Sequence, residues 1–147
     1  MAATIPNEGE VQLLTEQLGA GENWLLGLFK SNLTPGEADT AATYTAAECD
    51  FTNYARKTLT RSISAGTWQT VTSGAPTGAW SAEAAVAKST YGAAPQSWTC
   101  GATGNTVYGY FLLGATSGKL IMAEAFAAPR TLASGDVLST TPAFEGS

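Results

Sequence analysis

The stretch from Trp98 to Phe126 constrains the fold most. Two apolar runs of strand length, Val107–Leu113 and Lys119–Phe126, flank the five residues Gly114-Ala-Thr-Ser-Gly118. Glycine supplies the positive φ that tight connections need, so this pattern predicts a β-hairpin. The first arm is apolar on both of its alternating sets: Val107, Phe111 and Leu113 on one, Tyr108, Tyr110 and Leu112 on the other. A strand apolar on both sides is covered on both sides. The second cover is either a partner subunit or the chain's own loops.

The rest of the chain reads as further short strands. Trp24, Leu26 and Leu28 alternate with Leu25, Gly27 and Phe29, a second buried strand. Tyr54–Ile63 reads as a strand with mixed faces, resolved by a bulge or an edge position. Thr67–Val71, Trp80–Lys88, Gln96–Cys100 and Val137–Thr141 are the other candidates, the last pairing back on the hairpin as a meander after Pro129 ends its second arm. Thr40–Thr45 reads as a short edge strand or extended loop, and Ser73–Gly78 as loop. Eight or nine strands at roughly twelve-residue intervals predict an all-β domain, a sandwich or barrel.

One helix precedes them. Over Glu8–Leu18, Val11, Leu14 and Leu18 recur at i, i+3 and i+7 and share a face. Asn7 is placed to cap it, with Glu10 three residues on, and Gly19-Ala-Gly21 ends it. Eleven or so residues do not make a stable helix in isolation. Its apolar stripe must dock, on the chain's own sheet or on a neighbouring subunit. The expected organisation is an arm and helix over 1–22, a β body over 23–141, and a tail over 142–147 that frays.

Composition narrows the function. Charged residues are 13 % of the 147, about half the usual share, so the surface is largely Thr, Ser, Ala and Gly. Such a surface suits neutral, tight contacts. The net charge of −5 argues against a nucleic-acid partner. The one basic cluster, Arg56, Lys57 and Arg61, reads as a solvated strand edge. No run approaches the roughly 20 apolar residues of a membrane span. Met1–Pro6 lacks the basic start and apolar core of a signal peptide, which predicts a cytoplasmic product with Cys49 and Cys100 reduced and buried.

No catalytic constellation emerges. There is no histidine, which removes the commonest general base and the Ser-His and Cys-His pairs. Of the twelve acids only Glu83 and Glu124 fall in expected strands, and Glu124 is expected to face solvent or to pair with Arg130. Gly101-Ala-Thr-Gly104 precedes a strand instead of a helix, so it aims no helix N-terminus at a phosphate. No metal-ligand spacing is present. The four tryptophans read as core filling, since large rings supply much of the burial available to an Ala-, Gly- and Thr-rich chain. The reading is no enzyme, no cofactor and no metal.

The segments Asn23–Lys30, Asn32–Pro35, Tyr54–Leu59, Gly104–Tyr110 and Pro129–Asp136 together resemble small virion structural proteins of tailed bacteriophages, including head decoration (cement) proteins. The likeness runs from about Asn23 onward and carries no mechanistic motif. It implies a β-sandwich or jelly-roll body, an oligomer, often a trimer, and a seat on the outer capsid against the major capsid protein. It implies a virion location after synthesis in the host cytoplasm. From the residues themselves, the candidate contacts are Tyr108, Tyr110 and Leu112 on the hairpin and the helix face Val11, Leu14 and Leu18. Two other classes compete: a phage tail or fibre module, and a carbohydrate-binding module built on the aromatic residues.

Overall fold

A computed structural model describes residues 5–76, 85–92 and 94–146. In chain order the elements are α1 (Asn7–Gly19), β1 (Trp24–Phe29), α2 (Ala41–Ala46), β2 (Lys57–Leu59), β3 (Thr72–Gly74), β4 (Val86–Thr90), β5 (Gln96–Thr99), β6 (Thr106–Gly114), β7 (Leu120–Thr131), β8 (Val137–Thr140) and β9 (Ala143–Gly146). All strand pairs within the sheets are antiparallel. The protein is mostly β, with a short N-terminal helix as expected. The chain divides into two compact units, one drawn from Met1–Gly21, Thr60–Pro95 and Thr141–Ser147, the other from Glu22–Leu59 and Gln96–Thr140.

The second unit holds the hairpin. Its larger sheet runs β2-β1-β6-β7. Strand β6 is central and buried along nearly its whole length within the single chain, on both alternating sets. Phe111 and Leu113 pack with Phe29, Tyr44 and Ala47, so α2 and the loop after it supply one cover. Two glycines make room for the rings. Gly27 lies opposite Phe111 and Gly109 opposite Phe29 in the β1–β6 ladder. Each ring sits over the facing glycine, where a side chain would collide with it. The turn behaves as the glycines predict: Gly118 has φ 65°, and its N–H donates to the Gly114 carbonyl at 3.0 Å. The Glu22 carboxylate closes the turn by accepting the N–H groups of Thr116 (2.6 Å) and Ser117 (2.8 Å).

Several expectations are overturned here. The segment read as a short edge strand or loop, Thr40–Thr45, is the helix α2. Thr43 Oγ1 accepts the Thr40 N–H at 3.3 Å, and Asp39 Oδ2 accepts the Tyr44 hydroxyl at 2.8 Å. Tyr44 is fully buried, and this anchor holds a helix too short to persist by propensity. Strand β2 covers only three residues of Tyr54–Ile63. Pro129 does not end the second arm. It lies inside β7, which is an edge strand, where a missing N–H costs the ladder little. The register jumps from Val107↔Arg130 to Gly109↔Ala125, a bulge that absorbs the proline. Strand β8 pairs with β5 in a separate two-stranded sheet and forms no meander with the hairpin.

The first unit contains α1 and the sheet β3-β4-β9. The helix docks on β3 and β4, burying Leu14 and Leu18. Its N-cap is Pro6, without a side-chain cap bond, so Asn7 is the first helical residue and not the cap. Pro6 fits there because its fixed φ of −71° sits at the entry and its carbonyl accepts the Gly9 N–H at 2.7 Å. The expected strand Thr67–Val71 is displaced: β3 begins just after it at Thr72 and runs through Ser73 and Gly74, the first two residues of the segment read as loop, while Trp68 forms isolated bridges to Ile63 and Tyr91. Trp68 is fully buried, edge-on to Tyr91 at 5.3 Å. Of the expected strand Trp80–Lys88, the part from Val86 is β4, and 80–84 lie outside the described residues, as does Glu83. The part of the expected tail that the structure describes is ordered into a strand: Ala143–Gly146 is β9 and pairs with β4.

Candidate functional site

The residues singled out as contacts fall in both units. On β6, Tyr110 and Leu112 are buried, with Leu112 at 0 % exposure, and Tyr108 is half-buried against the Phe29–Phe111 cluster. On α1, Leu18 is also at 0 %, Leu14 is buried and Val11 half-buried. Buried side chains belong to the core of this chain and present no area to a second one. The structure brings Tyr108, Tyr110 and Leu112 together on one strand and Val11, Leu14 and Leu18 on one helix.

What is exposed is different. Strand β7 has twelve residues, Leu120-Ile-Met-Ala-Glu-Ala-Phe-Ala-Ala-Pro-Arg-Thr131, half-buried in its first part and exposed over most of the rest. It ends its sheet. Only Glu124 and Arg130 are charged. They do not pair with each other: the exposed Glu124 carboxylate takes the Tyr110 hydroxyl, beside the Phe126 ring 6.3 Å from that of Tyr110. Extended backbone carries residues 124 and 130 too far apart to meet within one strand. Beyond this strand, the large apolar side chains most open to solvent among the described residues are Ile5, Leu13 and Val137.

Several charged side chains are taken up in structural networks. Glu48 receives Arg56 through both carboxylate oxygens, Nε at 2.7 Å and Nη2 at 2.6 Å, and also the Tyr54 hydroxyl at 2.6 Å. Tyr54 in turn accepts the Leu28 N–H at 3.0 Å, which ties the 48–56 loop to β1. The Glu48 hydrogen bond raises the Arg56 pKa, and burial, with that same carboxylate, drives Tyr54 well above the usual phenol range. Lys30 donates to Asp50 at 2.5 Å and Asn105 adds a bond at 3.1 Å, holding the Asp50 carboxyl below its ordinary range. The three basic residues read as one solvated edge are each engaged: Arg56 on Glu48, Lys57 over the Trp98 ring at 5.3 Å, and Arg61 on the Gln17 carbonyl.

Cys49 and Cys100 are both free thiols and both buried. Burial pushes the Cys49 thiol up to about 12, Lys30 opposing and Asp50 and Glu48 adding to the shift. Such a thiol is a poor nucleophile and metal ligand. Among the described residues no group of three His, Cys, Asp or Glu is placed to hold a metal, and no helix is long and apolar enough to cross a membrane.

The molecule is thus a mostly-β protein of antiparallel sheets with a short N-terminal helix and a neutral, alanine-rich edge strand. No family model, no curated protein and no solved structure matches this chain. Sequence reasoning missed Glu22 as the turn clamp and Leu13 as an exposed leucine. Leu13 carried a visible signal, because it stands outside the Val11–Leu14–Leu18 spacing. Glu22 carried none, since its partners lie more than ninety residues away.

Proposed function

We propose that the chain is a non-enzymatic structural protein of the virion, a head decoration (cement) protein that binds the outer capsid surface and stabilises the shell. The supporting observation is β7: a long strand at a sheet edge, mostly open to solvent in its second half, with two charges in twelve residues. Small uncharged side chains give close approach with little desolvation cost, and many identical weak contacts on one shell add through avidity. Bulges, Pro129 and Glu124 discourage the addition of another strand at this edge, so the contact is made by side chains. On this reading the antiparallel sheets belong to a jelly-roll-like body, the working state is an oligomer, a trimer, and the partner is the major capsid protein.

Mixing the purified protein with undecorated shells tests the reading. Co-sedimentation that saturates at a fixed number of copies per shell is the expected result, and no co-sedimentation rejects it. Labelled virions separate the head from the alternative location: signal over the head supports decoration, whereas signal confined to the tail tip assigns a tail or fibre module.

A further inference from the structure

Helix α1 has a second, mixed face beside the one it buries, on which Leu13 stands exposed between polar Glu10 and Gln17. Glu10, Leu13, Leu14 and Gln17 follow the i, i+3, i+4, i+7 spacing of one helix face. With Ile5 and Gly146 they line a groove of about 200 Å³. Its rim carries two of the three most exposed large apolar residues among those described, Leu13 at 54 % and Ile5 at 49 %. The groove also contains a carboxyl oxygen that lacks a partner. Glu10 Oε2 is shut off from water and has no hydrogen-bond donor among the described residues. The residue as a whole is half-buried, so a turn of the Glu10 side chain brings its carboxylate to a cationic donor entering the groove.

We propose that this groove receives a basic amphipathic segment of a partner protein, with an aliphatic side chain between Ile5 and Leu13 and a lysine or arginine on Glu10. Three arguments select that occupant. The volume is below the roughly 300–1,000 Å³ of small-molecule sites, and suits one or two side chains. The helix carries Glu8, Glu10 and Glu16 and no basic residue, so its field attracts a cationic segment. The same charges disfavour a second copy of this chain, because a two-fold contact sets the acidic face against itself and brings no cation to Glu10. The inference deepens the decoration reading by naming a second capsid-binding face besides β7, and rests on that reading only for the partner's identity.

The test uses the full chain and two helical peptides of about five turns, one of leucine and lysine and one of leucine and glutamate, followed by fluorescence anisotropy. The Leu/Lys peptide binds and the Leu/Glu peptide does not. Glu10→Gln and Leu13→Ser each weaken binding at least about tenfold, the loss of a charge-assisted bond or a buried leucine contact. Ile5→Ser does the same, and serves if Leu13→Ser fails to fold. Equal binding of both peptides, or binding indifferent to these variants, overturns the proposal. So does a concentration-dependent dimer that Leu13→Ser abolishes, because a second copy then fills the groove. Repeating the variants with undecorated shells separates the two claims. Wild type and variants binding shells equally ends the groove as a capsid face while decoration stands. Peptide binding with no shell binding ends decoration while the groove stands.

Discussion

Replacing Gly27 with alanine tests how the central sheet is packed. A Cβ at that position falls within 2.8 Å and 2.9 Å of Phe111 Cε1 and Cε2, and closer still to Cζ, where ordinary contact begins at 3.4 Å. The ring must retreat by about 1 Å. It has nowhere to go: Phe111 is fully buried and its ring centroid lies 5.7 Å from that of Tyr44, which itself stands 5.3 Å from Phe29. Overpacking of this kind costs about 1–3 kcal/mol. Alanine recovers about 0.5–1 kcal/mol of backbone entropy in a strand, so the net loss is anything up to about 2.5 kcal/mol. Phe111→Ala alone costs about 3–5 kcal/mol through its cavity. In that background the added methyl strikes no ring, and Gly27→Ala then stabilises by about 0.5 kcal/mol or more. The sign of one substitution reverses with the other, a coupling of about 2 kcal/mol. Urea unfolding followed by tryptophan fluorescence reads it, since Trp24 is buried on β1. The same effect of Gly27→Ala in both backgrounds, that is no coupling, would refute the packing argument.

Glu22→Ala removes acceptors from the Thr116 and Ser117 amides and lowers stability by about 1–2 kcal/mol, read as a drop in urea midpoint with no change of slope. Cys49 resists a chromogenic disulfide in the native state at pH 8 and reacts at once in denaturant. Its raised pKa also sets an alkaline dependence: the native state keeps the proton that the unfolded thiol loses near pH 8.5, so this stability is fully present below that pH and falls as pH rises towards 12. Cys49→Ala flattens the decline between pH 8.5 and 10, before the tyrosines titrate. The depressed Asp50 carboxyl acts at the other end, contributing stability above the ordinary carboxylate value near 3.9 that is lost as pH falls through the depressed one. Asp50→Asn removes that acid-side slope in unfolding midpoints measured from pH 5 downwards.

Local pattern alone was enough for the parts with strong periodicity. The 3.6-residue stripe of α1, the alternation of Trp24–Phe29 and the glycine-bounded hairpin are each written within a dozen residues, and the backbone follows them. The lack of histidine, and the chemistries it excludes, also needs no coordinates. Strand partners do not have that local signature. That β8 pairs with β5 and β9 with β4 depends on which distant edges the packed core leaves open, and no window of sequence contains both sides of such a choice. Helix α2 shows the same limit: Ala-Ala-Thr-Tyr-Thr-Ala has no decisive propensity, and Tyr44, anchored on Asp39 between Phe29 and Phe111, selects the helix. The α1 groove divides along the same line. Leu13 off the buried stripe was legible, whereas the unmet oxygen of Glu10 exists only once the fold has taken water away from it.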